Sequence, residues 1–133
     1  MKLLFSIGLG FLVFSFIIYG CKDSITGSQL DSTVIPASNV SYAKYIQPIF
    51  TLKCANSGCH DDGTMAAGLS LTTWAGATNL QYVTKGHPDN SILVQSIEGL
   101  SGSSPMPPVG YPVLTANQIQ GVKTWIAEGA KNN

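Results

Sequence analysis

The chain has 133 residues, with seven acidic and seven basic side chains that cancel to a formal net charge of zero and no arginine at all. That balance, with the lysines scattered, excludes the clustered basic surface that nucleic acid binding needs. It holds no internal repeat, no phosphate-binding glycine loop, and no Ser/His/Asp or paired-carboxylate spacing that points to hydrolytic chemistry.

At the N-terminus, Lys2 is followed by an apolar run from Leu3 to Tyr19. Its length and one-sided flanks match a secretory signal better than a membrane span. The run ends at Ile18-Tyr19-Gly20-Cys21, a small residue directly before a cysteine. This resembles a bacterial lipoprotein signal, which implies that 1–20 is removed and that Cys21 becomes the lipidated first residue. An ordinary signal peptide ending near a cysteine, or an uncleaved anchor, are the alternatives. All of them place the remainder on the exported side or in the envelope.

Residues 21–40 are rich in Ser, Thr, Asp and Gly and lack periodicity, so the expectation is a lipidated N-terminus on a solvated, flexible tether. Its random-coil span would be about 25 Å. Residues 41–133 then form one domain at the lower end of what a hydrophobic core alone sustains.

Within that domain, Tyr42, Tyr45, Ile46, Ile49 and Phe50 recur at helical spacing with Ser41 as N-cap. Pro48 kinks this helix or starts its second half. Directly after it comes Cys54-Ala55-Asn56-Ser57-Gly58-Cys59-His60. Two thiols can add across the vinyl groups of a haem, and a histidine beside the second thioether is then placed to ligate the iron. The usual spacer is two residues rather than four, so the extra pair must bulge, and Asn56, Ser57 and Gly58 are types that tolerate tight or left-handed turns. A Cys54–Cys59 disulfide, or a zinc site using both thiolates with His60 and His87, are the competing readings. Three cysteines would leave an odd thiol in a disulfide framework. Lipid on Cys21 and haem on the other two leaves none over.

Further along, Thr72 to Leu80 is a helical candidate containing Trp74. Asp89 or Asn90 caps a short helix carrying Ile92, Leu93, Val94 and Ile97 and ending at Gly99. The segment from Ser103 to Pro112 contains four prolines, which exclude a regular helix or central strand and stiffen the loop that presents Met106. A thioether held rigidly suits an axial iron ligand, because the iron–thioether bond is weak. In the last segment, Thr115 and Gln118 form a capping-box pattern, Ile119, Val122 and Ile126 form an apolar stripe beside Trp125, and Gly129 stops the helix. This stripe matches the face of the helix before Cys54, so the two are expected to pack together, with Trp125 as core rather than electron relay.

The succession of Cys54 to His60, Gly86-His87-Pro88-Asp89-Asn90-Ser91-Ile92-Leu93, Met106-Pro107-Pro108, and Leu114-Thr115 leading to Trp125-Ile126-Ala127-Glu128-Gly129-Ala130 resembles a single-haem class I cytochrome c, and within that class the planctomycete type. The likeness runs from about Val40 to Lys131, and four-residue spacers occur among such proteins. It implies the small all-α cytochrome c fold, one covalent haem c on Cys54 and Cys59, His60 as proximal ligand and Met106 as distal ligand. It also implies attachment of the haem outside the cytoplasm.

Two residues compete with Met106. Met65 is five residues past His60, and about 17 Å of extended chain does not carry it round the macrocycle. His87 is chemically able to ligate, but similar proteins place a polar loop there, and it is free to meet a haem propionate or solvent. Leu71, Trp74, Ile92, Leu93, Pro107 and Tyr111 are the candidate pocket lining.

With both axial positions filled by protein, the expected function is single-electron transfer between exported redox proteins, without catalysis, from a lipid-anchored position on the periplasmic or envelope side. A peroxidase-like or sensor module with displaceable Met106, and a non-haem disulfide or zinc lipoprotein, are the alternatives.

Overall fold

The computed structural model describes residues 24–133 apart from Ser101, Ser103 and Ser104. The expected signal peptide, 1–20, and Cys21 lie outside the described residues. Those described form helices and no strand, as an all-α fold requires. None of these helices is long and apolar enough to cross a membrane.

The core forms where two amphipathic stretches meet. Tyr42–Ile46 is a π-helical stretch with the Ser41 side chain accepting from Lys44 N, and α2 follows directly as Gln47–Lys53 with Pro48 in its first turn. The wider register has a local cause: Pro48 has no N–H to donate and its ring crowds the carbonyl four residues back. So Pro48 begins the second half of the helix. Across from it runs α5, Ala116–Ala127, opened by the Thr115/Gln118 capping box. The Trp125 ring lies 5.2 Å from Tyr42 and 6.2 Å edge-on from Phe50. Ile46, Ile49, Val122, Trp125 and Ile126 are buried between the two helices, and aromatic contacts of this kind add to the area they remove from water. Trp125 is a core residue, its indole N–H donating to Lys131 O at 2.9 Å. Gly129, at φ +96°, ends the helix in the left-handed conformation that favours glycine.

The segment expected as a free tether is instead part of the domain. Gly27–Ser32 forms α1 with its own capping box from Thr26 and Gln29, and Leu30, Ile35 and Val40 are buried. Three side chains of α5 and its end fasten this strap. Gln118 donates to Leu30 O and Asp31 Oδ1, Asn117 accepts from Ile35 N at 2.9 Å, and Glu128 accepts from Asn39 N and Val40 N. Composition failed here because three apolar residues spaced five apart fit neither a helical nor a strand period. They need only one side of an irregular strap to be dry. The folded unit therefore begins near Thr26, not Ser41.

Two shorter helices complete the frame. α3 is only Trp74–Ala77, shorter than the expected 72–80: the backbone leaves helical geometry at Thr78, whose hydroxyl donates to Trp74 O. α4, Ile92–Ile97, begins after Ser91, not with Asp89 or Asn90 as a side-chain cap. The buried Ser91 hydroxyl accepts from Thr84 N at 2.9 Å and donates to His87 O at 3.0 Å, which closes the polar turn ahead of α4.

Candidate haem site

The loop after α2 folds onto itself. Cys59 N donates to Asn56 O, His60 N returns to Cys54 O at 3.2 Å, and Gly58 takes φ +85°. The four-residue spacer is thus a closed bulge whose ends meet, with glycine at the left-handed position. Both thiols are free and half-buried. Burial pushes the Cys54 thiol up to about 12, so it remains protonated, a poor state for a thiolate metal ligand.

His60 is held by the segment that follows. Its Nδ1 lies 3.1 Å from Leu69 O, and its backbone oxygen accepts from Leu71 N at 2.9 Å. A carbonyl can only accept, so Nδ1 carries the proton and Nε2 keeps its lone pair for a metal. The supporting carbonyl is fixed in turn. Asp62 Oδ1 accepts from Ser70 Oγ and Thr72 Oγ1, both at 2.6 Å, and these hydroxyls hold its carboxyl below the usual range. Behind Ser70, Gly76 of α3 approaches so closely that a Cβ there would lie 2.5 Å from Ser70 O. The Tyr82 hydroxyl donates to Ala67 O, tying down the same loop.

Cys54, Cys59 and His60 line one cavity of about 150 Å³ together with Met106, Pro107, Pro108 and Tyr111. Met106 is 37 % exposed, and its N–H donates to Ser96 O at 3.0 Å, so the last turn of α4 anchors the proline loop. Lys53, Gly58, Ala66 and Ile97 complete the lining. Lys53 carried no signal in the sequence, since lysine is ordinarily exposed.

The other sequence candidates lie elsewhere. Leu71 and Leu93 are buried in the core, Ile92 is exposed, and Trp74 sits under the Lys85 ammonium with its indole N–H on Ala130 O. None of the four lines this cavity. Met65 is exposed and also outside it. His87 is an exposed residue of the Gly86–Asn90 turn and lines a separate polar recess. It does not join Cys54, Cys59 and His60, and among the described residues no group of three or more His, Cys, Asp or Glu side chains is placed to hold a metal ion.

The donor set therefore fits a covalent haem: two free thiols, an imidazole with one nitrogen already engaged, a thioether on the same cavity, and mostly apolar walls. Residues 57–110 match the family described as planctomycete cytochrome C. The matched stretch carries Cys59, His60, His87 and Met106-Pro107-Pro108 and begins after Cys54. No curated protein and no solved structure matches the chain.

Proposed function

We propose that the protein is an exported, single-haem c-type cytochrome that passes single electrons between redox partners, held at a bacterial membrane by lipid on Cys21. The observation that carries this reading is the convergence of Cys54, Cys59, His60 and Met106 on one cavity, with His60 Nδ1 committed to Leu69 O. Haem would supply the Fe(III)/Fe(II) couple. Cys54 and Cys59 would hold it through thioethers, and His60 Nε2 and the Met106 sulfur would ligate the iron, which would leave substrate no place on the metal. A thioether ligand and an apolar pocket both favour the ferrous state. Other exported redox proteins are the partners, met through a small transient interface.

The packed strap changes how the lipid would work. Residues 22–25 alone separate Cys21 from Thr26, the N-cap of α1, and five extended steps span at most about 17 Å. Lipid on Cys21 would hold the domain close to the bilayer, with little room to swing.

The test is haem quantification on denatured protein. One haem per chain, retained through acidified organic solvent and lost in the Cys54→Ser/Cys59→Ser variant, is the expected result. Haem that extracts completely, or none after expression with a maturation system, defeats the reading. Mass spectrometry of the native N-terminus checks the lipid on Cys21. The exposure of Met106 favours a second reading, in which this ligand is displaced for catalysis or sensing. Ready carbon monoxide binding and peroxide turnover by the wild-type protein would select it.

A further inference from the structure

Lys53 is the last residue of α2, one position before the first thiol, and its side chain lines the cavity while being only 3 % exposed. A buried lysine needs partners. Its Nζ donates to Val113 O at 2.6 Å and lies 2.6 Å from Asp31 Oδ1. Asp31 belongs to the strap, is itself held by Gln118, and is 46 % exposed. The charge pair is therefore lopsided. The ammonium, on a side chain that lines the cavity, is shielded from water, whereas water screens the carboxylate. The less screened charge of the pair, beside the cavity, is the positive one.

We propose that Lys53 is an electrostatic positioning residue of the haem site: its buried ammonium raises the reduction potential, and the strap, through Asp31, keeps that charge in place. The inference rests on the haem reading above. A fixed cation beside the metal disfavours the ferric state, which carries one more positive charge than the ferrous state. Low dielectric makes such a charge count over several ångströms. Lys53 also links three segments distant in sequence: the strap, the start of the haem-binding loop, and the chain leading out of the Met106 loop.

The test measures reduction potential at pH 6 in holoprotein whose covalent haem content and far-red sulfur-to-iron band have first been recorded. Lys53→Met, close in volume, is expected to lower the ferrous-to-ferric ratio at fixed ambient potential about tenfold, a shift of about 59 mV downward. Lys53→Arg keeps the charge and is expected to keep the potential within about twofold of wild type. Asp31→Asn is expected to raise the ratio by about threefold or less, because the lost charge is half in water. Equal shifts in Lys53→Met and Lys53→Arg would make the effect one of packing and overturn the proposal, as would an unchanged potential in Lys53→Met with haem and band intact. Should Lys53→Met fail to mature, Asp31→Asn decides, and a potential that falls or stays put refutes the idea. Wild-type protein without covalent haem overturns this inference and the haem reading together. Wild-type holoprotein whose potential ignores both residues overturns this inference alone.

Discussion

From Cys54 to Thr72 the cavity wall is stitched to itself: Cys54 to His60, Cys59 to Ala66, His60 to Leu69 and Leu71, and Asp62 to Ser70 and Thr72. From Pro105 to Val113 the other wall has, among the described residues, a Met106–Ser96 bond, a Pro108–Tyr111 turn, and the Lys53 ammonium on Val113 O. Prolines stiffen that second wall without tying it down, since they remove donors as well as freedom. The His60 ring on the first wall is thus oriented by short-range hydrogen bonds. The thioether on the second is placed by a stiff loop anchored at α4 and α2. The first wall should resist perturbation locally, and the second should respond to changes made far away in sequence.

The largest expected effect tests that division directly. Met106→Ala should abolish the far-red band, admit carbon monoxide to the ferrous protein and lower the potential, yet leave covalent haem in full, because the first wall does not depend on the second. His87→Ala should leave the spectrum as it is. Loss of haem from Met106→Ala, or an opened site in His87→Ala, would show that the walls are not separable in this way.

Next in size is the strap. Ile35 is buried against Gly121, where an added Cβ would come within 2.7 Å of the Ile35 Cδ1. Ile35→Ala is expected to cost about 2–5 kcal/mol in denaturant unfolding. If the strap is an independent tether, the midpoint will not move.

Gly76→Ala sharpens the contrast on the first wall. Glycine to alanine within a helix ordinarily stabilises, but here the new Cβ would meet the Ser70 carbonyl rather than a flexible side chain. A loss of about 1–3 kcal/mol is expected, with a disturbed His60 ligand environment in the haem spectrum and an intact methionine band. A stabilised variant would mean that Ser70 has room to move.

The smallest effect is in pH. Asp31 has its carboxyl held below the ordinary value of 3.8, first by the Lys53 hydrogen bond and then by Gln118. A depressed carboxylate contributes stability above its unfolded-state value and loses it as pH falls through the lower folded-state value. The gap in unfolding midpoint between wild type and Asp31→Asn should therefore be constant near neutrality and close below about pH 4. A gap that persists in acid would assign Asp31 a role other than its charge.

The thiol pair, His60, the proline-bound Met106, the Thr115 cap and the apolar stripe of α5 were all legible in the sequence, because each rests on contacts within a few residues or on a simple period. Pro107 and Tyr111 were named for the lining. Leu71, Trp74, Ile92 and Leu93 were named with them, because an apolar residue near a motif looks the same whether it faces a cofactor or the core.

By itself the sequence determined the chemistry on offer and an all-helical chain, since residue type and short spacing carry both. Only the tertiary structure decided that residues 26–40 are folded, that Lys53 is buried on the cavity, and that the Gln118 amide nitrogen reaches back to Leu30 and Asp31. Each of those depends on partners more than twenty positions away, and long-range pairing of an aperiodic strap or a lone lysine leaves no local pattern to read.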